Sequence, residues 1–285
     1  MMSQSSYRHG RMGARHPRVN DPRDEGRLRE HKGRLREHKA AATAAGILYI
    51  TGTVAGVLSM VAISAVRDAS DPLAAAAEHS GSVVTGALLV LVMGLSLAFV
   101  PVVLFPVLRR VDETLAIGYL VIRGAVETVC YILLAIGWLL LLPLGEAMSA
   151  GPGAGSPAGV RLGGLVLDSE AANAVLGLVF CLGGVIFYLL LYRSGIVPGW
   201  IALWGLLAIP FYVAAHLLAM YGVVGANSSG QVLMFMPMAV QEMALAVWMI
   251  ARGFRPAADS TAPTKMTGSI GISMATPVAR RPGRP

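Results

Sequence analysis

Arg123 and Glu127 stand four residues apart inside an apolar run from Ala116 to Leu142, and a later run, Gln231 to Ala251, holds Gln241 beside Glu242. A guanidinium and two carboxylates are the groups that relay protons, hold counter-ions or bind charged ligands within membranes. Each unpaired charge at mid-span costs about 2.5–3.5 kcal/mol, so three would cost about 8–10 kcal/mol. Pairing is therefore expected. The planar fork of Arg123 serves two carboxylates, Glu127 along its own helix and Glu242 across a bundle. The sum leaves one excess negative charge, which a shared proton would balance.

Depth brings these groups together. With a rise of 1.5 Å per residue, Arg123 lies about 10 Å and Glu127 about 16 Å from the cytoplasmic edge of the third run. Gln241 and Glu242 lie about 13–15 Å from the same edge, because the last run travels the other way. Spacing of four puts Tyr119, Arg123, Glu127 and Tyr131 on one helical face. In the first run Tyr49 and Thr53 fall at about 12–18 Å and are placed to hydrogen-bond to this layer. His216, about 25 Å deep, is expected to bond between helices outside the layer.

The elements that must position these residues are membrane spans. Hydrophobic residues make up 55% of the 285 and charged ones 14%, too apolar for a soluble domain of this length. Six runs are each long enough to cross a bilayer, which takes about 20 residues. They are 41–66, 83–108, 116–142, 171–192, 199–221 and 231–251. The fold class is all-α, a polytopic six-helix bundle spanning 41–252. Lys and Arg are dense in residues 1–40, the 109–115 loop and the tail from Arg252, whereas the three opposite connections carry only Arg67 and Arg161. The positive-inside rule then puts both termini in the cytoplasm and assigns the net charge of +7 to topology rather than to nucleic acid. A strong preference for Arg over Lys, with abundant Ala and Gly, suggests a GC-rich bacterial genome and the cell membrane.

Residues 1–40 and 253–285 read as disordered cytoplasmic tails. Within the first, GRLREHK at Gly26 to Lys32 repeats at Gly33 to Lys39. The repeat is either a local duplication or two turns of a basic helix on anionic lipid headgroups. Gly52 and Gly56 permit close helix approach, in internal packing or in a homodimer. Pro101, Pro106, Pro210 and Pro237 are expected to kink their helices. Val160 to Leu167 is too short to span and is expected to pack on the outer surface. Cys130 and Cys181 lie inside spans and read as free thiols. Met234, Met236 and Met238 could hold Cu(I), but methionine more often fills a core.

Four segments carry a resemblance. They are AGILYITGTVAGVLS (Ala45 to Ser59), FPVLRRVDETLAIGYLVIRGAVETV (Phe105 to Val129), LLLYRSGIVPGWIALWG (Leu189 to Gly205) and QEMALAVWMIARGF (Gln241 to Phe254). From Ala41 to about Phe254 the chain resembles the bacterial membrane proteins grouped as domain of unknown function 4386. The resemblance implies an integral membrane protein with six spans, and no catalytic residue to carry over. The long basic tails depart from that pattern.

Three functions follow. A non-enzymatic, structural or sensory protein would use the charged layer as a packing lock. A small-molecule or proton-coupled transporter would use Glu127 or Glu242 as its titrating group, although the halves show no inverted repeat. An intramembrane enzyme is the weakest reading, since HExxH and GxSxG are missing and no catalytic residue, metal ligand or cofactor site is assigned.

Overall fold

The computed structural model describes residues 22–149, 156–167, 170–225 and 228–255. Both long tails as far as 21 and from 256 lie outside them, and with them the disorder expected there. Among the described residues every element is helical, and six helices are long and apolar enough to cross a membrane. The first is α1, Pro22–Arg67. It begins well before the expected span, so residues 22–40 are helix rather than disordered tail. The repeat is built mostly from Glu, Lys, Arg and Leu, strong helix formers that extend a helix already nucleated by the span.

A short α2, Pro72–Glu78, follows. Asp71 caps it by accepting the backbone N–H groups of Leu73 and Ala74 at 3.1 and 3.2 Å. An Asp-Pro pair is a recognisable helix start, because the Asp carboxylate serves orphan donors and Pro lacks one. The second span is α3, Ser80–Leu108. The third begins as α4, Glu113–Tyr119, widens into a π-helical turn over Leu120–Val126 and continues as α5, Glu127–Ser149. Its helix runs on past Leu142 through Pro143, beyond the expected end. Loss of one hydrogen bond is tolerated in spans where neighbours satisfy the freed carbonyl.

The amphipathic α6, Pro157–Leu167, buries Gly159, Gly163 and Leu167. Its Gly163 lies against Pro72 and Leu73, so α6 packs on α2 at the end of the bundle away from the termini. Then come α7, Glu170–Ser194, α8, Gly199–Met220, and α9, Ser229–Arg252. At the terminus end, Gly253 takes a φ of 67° against Lys39, and the Arg255 N–H donates to the Ile196 carbonyl at 2.9 Å. These contacts tie the end of α9 to α1 and to the α7–α8 connection.

The spans form a ring in chain order. Span follows span from α1 to α3, to α4–α5, to α7, to α8 and to α9, and α9 closes back onto α1. Gly52 and Gly56 face Leu97 and Met93 of α3, so that small-residue face serves internal packing. A ring of helices leaves its axis to be filled by side chains. What fills that axis decides whether the protein has a site.

Candidate functional site

The terminus half of the axis is filled by aromatic rings. Tyr49, Tyr119, Phe187 and Tyr188 are each 1% exposed. Tyr119 stacks on Phe187 with centroids 4.7 Å apart, and Tyr49 and Tyr188 flank the same ring at 6.5 and 5.5 Å. Large rings packed this way exclude water from that side.

The charged layer lies one turn further along. Arg123 Nη1 is 3.4 Å from Glu127 Oε2, and Nη2 is 3.3 Å from Glu242 Oε1, so one guanidinium joins α9 to the third span. Tyr131 donates its hydroxyl to Glu127 Oε1 at 3.3 Å. The Arg123 guanidinium also lies 4.4 Å from the Phe180 ring centroid and 5.7 Å from that of Tyr49, favourable contacts for a cation held away from water. The three charges are thus one cluster, as depth alone predicts.

The π-helical turn explains the stripe of four inward residues. In a regular α-helix, each step of four residues drifts about 40° around the axis, so Tyr119 and Tyr131 would diverge by about 120°. The wider turn at 120–126 winds less per residue and takes up part of that drift. Tyr119, Arg123, Glu127 and Tyr131 are all buried as a result. Their roles nevertheless differ. Tyr119 belongs to the aromatic plug, and only Tyr131 bonds to a carboxylate of the layer. Tyr49 meets Arg123 through its ring, and Thr53 lines a cavity above, in place of the hydrogen bonds to the layer expected of them.

Gln241 also departs from expectation. Successive residues of a helix point about 100° apart, so Gln241 and Glu242 face different neighbours. Gln241 is fully buried; its Oε1 accepts the Tyr188 hydroxyl at 2.7 Å and its Nε2 donates to the Ile201 carbonyl at 3.1 Å. It fastens α9 to α7 and α8 and takes no part in the charge cluster. Met238 packs beside it, its sulfur accepting the Tyr188 hydroxyl at 3.7 Å, while Met236 is exposed on the outer face. The Tyr188 ring fits only because residue 205 is Gly, whose hypothetical Cβ would stand 2.6 Å from it. Gly205→Ala is expected to displace Tyr188, break its bond to Gln241 and lower stability by about 1–3 kcal/mol in a detergent melt.

Glu242 points the other way, into a cavity of about 360 Å³ walled by all six spans. Its side chain is 17% exposed, against 2% for Arg123 and 1% for Glu127. The cavity follows one face of α9 through Gln231, Phe235, Met238 and Glu242, about 16 Å of helix. It therefore reaches from the charged layer to the first turn of α9, at the end of the bundle away from the termini. Thr53, Tyr131, Tyr212 and His216 contribute to its walls. His216 is 5% exposed, and neither ring nitrogen has a partner among the described residues. Gly177 makes room for it, since a Cβ there would fall within the imidazole. His216 stands apart from the charged layer in depth, as expected, but among the described residues it does not make the bond between helices expected of it, and the cavity joins it to the layer. The spacing 231, 235, 238, 242 is the sequence signal for this inward face.

Among the described residues, no group of three or more His, Cys, Asp or Glu side chains could hold a metal ion. Cys130 and Cys181 are free, the first partly exposed and the second buried. A protein-family model described as Domain of unknown function (DUF4386) matches residues 44–253. No curated protein and no solved structure matches.

Proposed function

The chain belongs to the DUF4386 family, whose description assigns no activity, and from its site we propose a small-solute carrier whose binding cavity has Glu242 at its base. The observation that carries this reading is the position of Glu242: held by Arg123 at 3.3 Å, yet open to an axial cavity of about 360 Å³. That volume lies in the small-ligand range of roughly 300–1,000 Å³. The aromatic plug closes the cavity on the terminus side, while the lining continues to the opposite end. A midplane site reached from one side is one half of an alternating-access cycle.

Orientation belongs to the same proposal. Arg109, Arg110, Arg193 and Arg252 gather at the terminus end, where α1 also continues as a basic helix. The positive-inside rule supports cytoplasmic termini in a bacterial cell membrane, with anionic lipid headgroups against the basic part of α1. The cavity then faces outward.

A packing lock is the competing reading, and Glu242→Gln separates the two. Removing one carboxylate leaves Arg123 balanced by Glu127, and an amide oxygen still accepts from the guanidinium. The carrier reading expects the unfolding free energy in detergent to change by less than about 1 kcal/mol. A lock that needs the Glu242 charge would lose about 3–5 kcal/mol instead.

A further inference from the structure

Three features of the cavity point to the chemistry of its occupant. Arg123 faces two carboxylates, so the cluster lacks one positive charge, and the carboxylate open to the cavity is that of Glu242. Aromatic side chains line the space beyond it. Tyr212 lies 4.5 Å from Phe235 and 5.0 Å from Phe180, centroid to centroid, and Tyr131 forms part of the same wall. Arg123 already covers Phe180, which leaves Tyr131, Tyr212 and Phe235 for a ligand. Further out, His216 packs against Tyr212 and Phe235 at 5.1 and 4.9 Å with both nitrogens unpartnered.

A carboxylate ringed by aromatic faces is the arrangement that binds an organic ammonium. An anion is disfavoured, because its charge would add to that of Glu242 and Arg123 is turned to its two carboxylates. A bare metal cation would find no group of three or more His, Cys, Asp or Glu ligands among the described residues.

We propose that the cavity binds a small organic cation, an alkyl or aryl-alkyl ammonium whose head pairs with Glu242 between Tyr131 and Tyr212. This rests on the reading of the cavity as a solute site. The head completes the charge balance: Arg123 pairs with both carboxylates, but its single positive charge offsets only one of the two. The ligand body lies along Phe235 and Met238 toward His216. The Phe235 level, where His216 packs, is about 10 Å along α9 from Glu242. A second polar group at that distance from the ammonium would find the free imidazole.

The test uses purified full-length protein in nanodiscs and two probes of nearly equal shape, 2-phenylethylamine, charged at neutral pH, and 2-phenylethanol, which is neutral. Titration calorimetry is expected to show the amine binding at least about tenfold more tightly than the alcohol. Glu242→Gln should remove that preference, and Phe235→Ala should weaken the amine while leaving the charge cluster untouched. Equal affinity for the two probes on the unmodified protein would overturn the cationic assignment, whatever the variants do. If the amine shows no preference while Thr53→Cys is open to aqueous reagent, the cavity is a solute site of another chemistry. If Thr53→Cys is closed as well, the solute site itself is refuted.

Discussion

Arg123→Met is expected to cost about 3–5 kcal/mol of unfolding free energy. The substitution keeps much of the side-chain volume, so cavity formation contributes little. What it removes is, among the described residues, the only counter-ion of two carboxylates, one 1% and the other 17% exposed. Glu127 would keep one Tyr131 hydroxyl, and Glu242 would keep none of the hydrogen bonds it now makes among the described residues. Part of the loss should return in Arg123→Met/Glu127→Gln, which leaves a single carboxylate facing the cavity. Arg123→Lys should fall between the two, since an ammonium is a point charge and does not span both partners as the guanidinium fork does. Chemical denaturation in mild detergent, with helical circular dichroism as the signal, orders the three variants. A loss below about 1 kcal/mol for Arg123→Met would mean that both carboxylates are already neutralised without it.

This ordering contrasts with that expected for Glu242→Gln. The two residues share one ion pair, yet only Arg123 is needed for its neighbours to remain buried. Glu242 brings the excess charge. Should Glu242→Gln leave stability nearly unchanged, a packing lock no longer explains a carboxylate placed mid-membrane beside an Arg, and the proposed solute site does.

Much of this was legible in the chain, because the cost of burying charge is large and simple. Runs of apolar residues locate the spans, and depth along successive spans of alternating direction then brings Arg123, Glu127 and Glu242 to one level. Azimuth is harder to read. Gln241 and Glu242 differ in depth by one residue, and only packing reveals that one fastens helices while the other faces the cavity. The π-helical turn at Leu120–Val126 has no residue signature of its own, and it changes which side chains face inward. His216 was separable from the layer by depth, but a cavity about 16 Å long joins levels that a depth comparison keeps apart. Residues 22–40 illustrate a different limit. Their charge reads as a solvated tail, while their helix-forming residues simply continue the span. For α2, Asp71 and Pro72 were a readable start that hydropathy alone passed over.

The ring of six helices is the account's foundation, and a void on its axis is the consequence that matters. Chemical access to that void tests it directly. With Cys130 and Cys181 replaced by Ala, Thr53→Cys places a near-isosteric thiol on the cavity wall. Ser59→Cys, six residues along the same helix, is the control, since Ser59 is fully buried and bonded to the Gly56 carbonyl. A small charged methanethiosulfonate reagent, applied from the side of the bundle away from the termini, should modify Thr53→Cys at least about tenfold faster than Ser59→Cys. From the terminus side the aromatic plug should protect both. Equal, slow modification of the two thiols from either side would contradict the account, because the axis would then be closed and Glu242 would be part of a lock.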